Sequence, residues 1–308
     1  MAKKSPRQSK QTEEEDKPQL VRLQKLLASA GYGSRRSCEE YVTMGRVSVN
    51  GKTVTDLATK IDPKTQKIRC DGELVKPELK QYFLVNKPAG YLCTNSDPTG
   101  RKRVVDLVPQ NGPRLFTVGR LDEHSVGLIL VTNDGEMAQR LAHPRYQVLR
   151  KYRVQVAGIP SPEVLKQLQD GVHFADGLFR CVGVKRVRTR GKSTVLEIAL
   201  QQGQNREIRR LLAKVGHKVQ TLERVVFGPL KLGKLAQGKC RTLRNVELKE
   251  LRDLIASNPA TPSKGKRNKK KFTPSGKRTP GKRTSAKRTS AKQTTPQKTK
   301  TPSRKRKR

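Results

Sequence analysis

The residues best suited to chemistry in this chain of 308 residues lie in Gly119-Arg120-Leu121-Asp122-Glu123-His124-Ser125-Val126-Gly127-Leu128, followed by Leu130-Val131-Thr132-Asn133-Asp134-Gly135. An acid stands on a turn directly before a continuous apolar run, where a carboxylate can be held rigid while one face stays open. Taken alone, such an Asp is a common turn-former. No Gly-x-Gly-x-x-Gly or Walker loop is present, so a nucleotide cofactor has no support. His124, His143, His173 and His217 are dispersed, and Cys38, Cys70, Cys93, Cys181 and Cys240 form no Cys-x-x-Cys pair. A zinc site and a disulfide framework are therefore not expected, and the thiols read as reduced packing residues. The chemistry must come from side chains alone, with no cofactor and no metal.

The 68 Lys and Arg against 26 Asp and Glu leave a formal net charge of +42. That exceeds what solubility needs and points to a polyanionic partner, nucleic acid first and an anionic membrane surface second. No apolar run approaches the roughly 18 residues of a membrane span. The basic residues 1–10 lack the apolar stretch of a signal peptide, so a cytoplasmic location is expected. Residues 1–18 are polar and aperiodic and are expected to be disordered. Residues 258–308 hold 20 Lys and Arg and no acid, and repeat Gly-Lys-Arg-Thr-Pro, Gly-Lys-Arg-Thr-Ser and Ala-Lys-Arg-Thr-Ser in succession. Such a tail cannot bury a core; it reads as a disordered RNA-binding arm acting through counterion release, or as a solubilising tail.

Two folded units are expected between these ends, at 19–78 and 79–257. In the first, Leu23, Leu26, Leu27 and Ala30 recur at helical spacing, and Ser34 is a candidate N-cap for a second helix running to about Met44. Val47 and Val49 alternate as a strand, and Asn50-Gly51 signals a hairpin. In the second unit, Tyr82-Phe83-Leu84-Val85 reads as a buried strand ending at the turn Asn86-Lys87-Pro88-Ala89-Gly90. Leu128-Ile129-Leu130-Val131 reads as another, before a helix with Met137 and Leu141. Tyr152, Val154 and Val156 alternate, as do Val195 and its neighbours to Ile198, and Ile208, Leu211 and Leu212 mark a late helix. Asn133 and Asp134 read as turn residues. Mixed short turns and helices between strands predict an α+β fold with an extended, mainly antiparallel sheet.

The first unit, with Leu23-Gln24-Lys25-Leu26, Gly33-Ser34-Arg35-Arg36 and Gly45-Arg46-Val47-Ser48-Val49-Asn50-Gly51-Lys52 in order, resembles the S4 RNA-binding module. The resemblance implies that Lys25, Arg35, Arg36, Arg46 and Lys52 line a face that meets RNA phosphates; the alternative is ordinary solvated charge.

The stretch around Asp122 closely resembles the signature of the RsuA/RluB family of ribosomal RNA pseudouridine synthases. Further landmarks follow in family order: Asn86-Lys87-Pro88-Ala89-Gly90, Ala142-His143-Pro144, Lys151-Tyr152, Gly203-Gln204-Asn205-Arg206-Glu207-Ile208-Arg209-Arg210-Leu211, Gly216-His217 and Leu222-Glu223-Arg224. The resemblance covers about 20–257. It implies a pseudouridine synthase catalytic domain in which Asp122 is the catalytic residue, Arg209 its ion-pair partner and Tyr152 the active-site aromatic. Arg120, Arg206 and Arg210 are implied as substrate or RNA contacts, with Arg120 entering the space of the flipped base or holding a phosphate. The reaction breaks C1′–N1, turns the uracil and rejoins it through C5, and needs no cofactor. An ionised Asp122 can attack C1′ or take a proton from C2′ to give a glycal, and both routes stay open. Either needs a charged Asp122 in a partly dry pocket, a cost that a neighbouring guanidinium offsets.

Departures from the pattern are small: Gln204 where many relatives carry a basic or another polar residue, and Ile129 and Val131 for leucines on a buried strand. The wording Asn205-Arg206-Glu207-Ile208-Arg209-Arg210 favours large-subunit over small-subunit rRNA. The alternative function is a non-catalytic S4-type RNA-binding or ribosome-assembly protein, and a uracil methyltransferase using a cysteine nucleophile is a distant third. The expected partner is ribosomal RNA, without a membrane, and a monomer is the simplest expectation.

Overall fold

The computed structural model describes residues 20–257. The disorder expected at 1–18 and the basic arm expected at 258–308 lie outside the described residues.

The first unit forms around its own apolar cluster. Leu23, Leu26 and Leu27 bury one side of the helix Leu23–Ser29. The Ser34 hydroxyl accepts the Ser37 N–H at 3.0 Å and opens the helix Arg35–Thr43, which buries Cys38 and Val42. Asn50 at φ 49° and Gly51 at φ 85° supply the two left-handed residues of a two-residue hairpin. They place Val49 opposite Lys52 between the strands Val47–Val49 and Lys52–Thr53. The strands Ile68–Cys70 and Glu73–Leu74 complete a four-stranded sheet.

The rest is organised by one nine-stranded sheet. Its main path runs Gly183–Arg190, Ser193–Leu200, Arg150–Ala157, Val219–Phe227, Val126–Thr132, Tyr82–Lys87 and Cys240–Thr242. Within it only Val219–Phe227 and Val126–Thr132 pair in parallel; the expected mainly antiparallel α+β sheet is what forms. Alternate residues go to opposite faces. Val85, Ile129, Val131, Tyr152 and Val154 join one apolar cluster, and Leu84, Leu128 and Leu130 join another. Both faces of Val126–Thr132 are covered, which explains its unbroken apolar run.

The strand expected to end at Val85 continues to Lys87, because the Asn86 amide donates to the Leu235 carbonyl and Lys87 finds acceptors inside the protein. Asp134 does more than turn the chain. Its carboxylate accepts the N–H groups of Glu136 and Met137, both at 3.1 Å, and caps the helix Gly135–Ala142.

The parallel junction sets a close backbone approach. Gly127 sits at φ +102°, and a Cβ there would lie 2.4 Å from the Arg224 carbonyl oxygen and 2.7 Å from its nitrogen. Gly127→Ala is expected to cost about 3 kcal/mol, from left-handed strain and a backbone clash that cannot relax sideways; urea unfolding measures it.

The far edge is clamped by Glu247 at the start of the helix Asn245–Ser257. Its carboxylate accepts two bonds from Arg241, both at 2.7 Å, and the Arg244 N–H at 2.9 Å. The Arg241 hydrogen bonds lead in pulling the Glu247 carboxyl down to about 2, and burial opposes them. A depressed carboxyl stabilises the fold above its unfolded range and loses that contribution as pH falls toward the folded value. Glu247→Gln should therefore lower stability by about 2 kcal/mol at neutral pH. The gap to wild type should close between roughly pH 5 and pH 2 in urea unfolding followed across pH.

Candidate active site

Asp122 sits in the loop between the strands Phe116–Thr117 and Val126–Thr132. Leu121 beside it is buried in the larger core cluster, and its N–H meets Cys93 Sγ at 3.3 Å. After Asp122 the loop closes on itself, the Ser125 N–H donating to the Asp122 carbonyl at 3.0 Å. The Glu123 carbonyl accepts the Gly90 N–H at 3.0 Å.

Beneath this loop lies Lys87, with 0% of its surface exposed. Its ammonium donates to the carbonyls of Ser125 at 2.7 Å, Glu123 at 2.9 Å and Pro88 at 3.1 Å, so its three protons have three acceptors. Burial pulls the ammonium below the usual lysine range, while Cys93, Asp122 and Glu123 oppose that shift. The backbone on either side of Asp122 is thereby tied down. Its carboxylate stays free of that scaffold, with the side chain 35% exposed.

The helix Glu207–Lys214 supplies the opposing charge. Arg206 precedes it in the left-handed region at φ 49°, and Glu207 accepts the Gln204 N–H at 2.8 Å, which folds the preceding loop onto the helix start. From there Arg206 Nη1 lies 3.6 Å and Arg209 Nε 3.7 Å from the same oxygen, Asp122 Oδ2. These are charge contacts longer than hydrogen bonds. They place two positive charges beside the carboxylate without occupying its lone pairs in a tight fork. Burial lowers the Arg209 guanidinium, and Asp122 works against it. Arg209 Nη2 also donates to Ser125 Oγ at 3.5 Å.

Tyr152 is 7% exposed and belongs to the core-facing set of the strand Arg150–Ala157. It lines one cavity with Arg120, Asp122, Ser125, Arg206 and Leu222. The cavity thus combines the Asp122 carboxylate and the Tyr152 ring with four arginines, Arg120, Arg150, Arg206 and Arg224, and an apolar wall. Among the described residues, no group of His, Cys, Asp and Glu is placed to hold a metal ion.

The sequence-predicted residues divide on this geometry. Asp122, Arg120, Tyr152, Arg206 and Arg209 come together. Arg210 does not: it is held by Asp176 at 2.6 and 2.9 Å with its guanidinium over the rings of Phe174 and Phe179. Arg46 pairs with Asp71 at 2.6 and 2.7 Å and lies over Tyr41. Arg36 and Lys52 are exposed on the first unit, and Lys25 and Arg35 line a separate groove with Lys80 and Arg114.

Three buried residues at the cavity were not singled out as site residues. Arg150 donates to the Leu141, Ala142 and Gln201 carbonyls at 3.1, 3.2 and 3.0 Å, Arg224 donates to the Leu128 carbonyl at 2.7 Å, and Glu207 braces the Gln204 loop. The two guanidiniums approach the Phe227 ring at 5.5 and 5.0 Å. The sequence signal was a charge at a core-facing position of an otherwise apolar alternation, as in Arg150-x-Tyr152-x-Val154 and Leu222-x-Arg224. Lys87 carried a comparable signal, a lysine at the end of a buried strand.

Lys87→Met would remove the donor from the Pro88 and Ser125 carbonyls and leave the Glu123 carbonyl only the Gly90 N–H. A loss of at least about 3 kcal/mol in urea unfolding is expected. Lys87→Arg should not restore it, because a larger head group has no room at a fully buried position.

Residues 81–214 match the family model described as RNA pseudouridylate synthase, and residues 21–67 match the S4 domain. An uncharacterised RNA pseudouridine synthase of Aquifex aeolicus (strain VF5) is 41% identical over 232 residues, covering 75% of this chain and 93% of the relative. The ribosomal large subunit pseudouridine synthase B of Bacillus subtilis (strain 168) is 38% identical over 237 residues, covering 76% and 97%. A crystal structure of a pseudouridylate synthase matches the fold with a TM-score of 0.55 at 24% identity, covering 75% of this chain and 99% of that one. With a carboxylate loop, its paired arginines and these relatives in hand, the chain belongs to the RNA pseudouridine synthase family, isomerases here preceded by an S4 domain.

Proposed function

We propose that this enzyme converts a specific uridine of ribosomal RNA to pseudouridine, with Asp122 as the catalytic carboxylate and large-subunit RNA as the substrate. The observation that carries the reading is the meeting of Asp122, Arg206 and Tyr152 around one cavity, with Arg209 against the Asp122 carboxylate. The ribosomal substrate is supported by the relatives named for large-subunit rRNA from Bacillus subtilis and Vibrio cholerae, at 38% and 39% identity.

In this reading the target uridine leaves its stack and enters the cavity, where Tyr152 offers its ring to the base. Asp122, flanked by the guanidiniums of Arg209 and Arg206, either attacks C1′ or removes the C2′ proton. Both routes break C1′–N1. The freed uracil turns within the apolar wall; C5 bonds to C1′ as the Asp122–C1′ bond breaks in the first route, or as C2′ regains its proton from Asp122 in the second, and C5 then loses a proton while N1 gains one. Arg120 at the rim occupies the helical space that the base vacates or holds a phosphate. The exposed cations Arg35, Arg36 and Lys52 on the S4 domain, with the half-buried Lys25 and with Arg46, meet RNA phosphates and contribute affinity without chemistry. Arg210, locked to Asp176, is a supporting residue in this scheme.

Tritium release from ribosomal RNA labelled at uracil C5 tests the proposal. Asp122→Asn should lower the rate at least about 10³-fold, the scale of losing a catalytic group, with RNA affinity changed only a few-fold. Arg209→Gln should cost about 10²-fold in the same assay. Wild-type protein that binds RNA but releases no tritium would instead identify a non-catalytic RNA-binding or ribosome-assembly protein.

A further inference from the structure

The edge of the central sheet carries a cation cluster that the site does not use. From 177 to 196 the chain holds Arg180, Lys185, Arg186, Arg188, Arg190 and Lys192 and no acid. The strand Gly183–Arg190 is the terminal strand of the sheet path, paired only with Ser193–Leu200, and residues 185–190 are all exposed.

A β-bulge arranges these charges. The register runs Lys185 opposite Glu197 and Arg186 opposite Leu196, then skips Val187 so that Arg188 faces Val195 and Arg190 faces Ser193. Without the extra residue, simple alternation would send Lys185 to one face and Arg188 and Arg190 to the other. With it, all three share the face of Glu197, Val195 and Ser193, while Val184 and Arg186 turn to the covered face. There Val184 packs on the core and Arg186 bonds the Pro160 carbonyl.

The neighbouring strands on this solvent face are charge-balanced. Lys151 pairs with Glu197 at 3.7 Å and Arg153 with Glu223 at 3.3 Å. Lys185, Arg188 and Arg190, together with Lys192 at the hairpin turn, take part in none of the ion pairs of the described residues. A row of unpaired cations on a stiff strand is complementary to successive phosphates.

We propose that this hairpin face is a second RNA contact, holding the phosphate backbone of a ribosomal RNA segment other than the one that presents the target uridine. The proposal rests on the reading that ribosomal RNA is the substrate. Tyr152 lies on the opposite face of the sheet, and four strand spacings, about 19 Å, separate the edge strand from the strand that follows Asp122. A short stem entering the cavity therefore does not lie along this row. A longer folded RNA that wraps the sheet edge meets it.

The competing role for edge-strand cations is to block edge-to-edge pairing with another copy. The test uses the full chain with all four cations neutralised, K185Q/R188Q/R190Q/K192Q, and a charge-conserving control, R188K/R190K. Binding is measured across a KCl series to two RNAs: a ribosomal fragment of several hundred nucleotides containing the modified uridine, and a short stem-loop with that uridine alone. On the long fragment the fourfold variant should lose about 3.6 in the slope of log K against log salt, at about 0.9 for each of the four phosphate contacts. It should also bind at least about tenfold more weakly near 0.15 M salt. Stem-loop affinity and turnover should stay unchanged, and the control should match wild type.

An unchanged slope on the long fragment overturns the proposal, and self-association of the variant with unchanged affinity assigns the cations to edge protection. Equal loss on both RNAs also overturns it, by placing the contact on the target segment. If wild type forms no pseudouridine in ribosomal RNA, the substrate reading fails, an outcome separate from the salt slope.

Discussion

A carboxylate can serve as nucleophile or base only if it is charged, and it can be positioned in a partly dry cavity only if the loop bearing it is fixed by something else. In this protein that support is the Lys87 ammonium, fully buried beneath the loop and bonded to the carbonyls of Pro88, Glu123 and Ser125. The arrangement separates two tasks. Backbone groups meet the demand of the buried cation, and the Asp122 side chain is left to face the cavity. Placing a charge inside a protein is costly unless its donors are all satisfied, and here three protons meet three acceptors.

Everything near the cavity follows from keeping that loop and its counter-charges in register. Gly127 permits the parallel junction through which Val219–Phe227 comes alongside, and the same approach brings Arg224 to the Leu128 carbonyl. Arg150 ties the end of the helix Gly135–Ala142 to the sheet. Glu207 folds the loop before its helix so that Arg206 and Arg209, three residues apart and hence on one side of the helix start, reach the same oxygen of Asp122. Their separation of 3.6 to 3.7 Å keeps Coulombic attraction while leaving the carboxylate without a hydrogen-bonded fork. That balance suits the carboxylate role proposed for Asp122.

Charge elsewhere is handled by a different logic. Arg46, Arg210 and Arg241 each sit in a two-bonded fork with one carboxylate, Asp71, Asp176 and Glu247 respectively, and stiffen the local structure. The unpaired cations of the first unit and of the sheet edge are exposed, where long-range attraction to a polyanion is available at little desolvation cost. The charges around Asp122 and the unpaired surface cations thus occupy separate regions of the chain, and substitutions in one should be readable apart from the other.

Much of the fold was legible because its signals are local. The Ser34 cap, the Asn50-Gly51 turn, the apolar run Leu128 to Val131 and the alternation through Tyr152, Val154 and Val156 depend on neighbours in the chain, and each appears where the pattern placed it. Asp122, Tyr152 and Arg209 were named through the order of their motifs, which says nothing of distance. Local pattern failed where a long-range partner decides the outcome. Asn86 and Lys87 looked like a turn because polar residues next to Pro88 usually are, yet partners at Leu235, Glu123 and Ser125 draw them into the strand. Arg210 was grouped with Arg206 as an RNA contact, and it is Asp176 and two phenylalanine rings that Arg210 meets, while Arg206 reaches Asp122. The sequence by itself determined the element types, the family resemblance and the candidate residues Asp122, Tyr152 and Arg209. Only the tertiary structure decided which charges are buried, which are paired and which stand free, because burial and pairing are made between residues far apart in the chain.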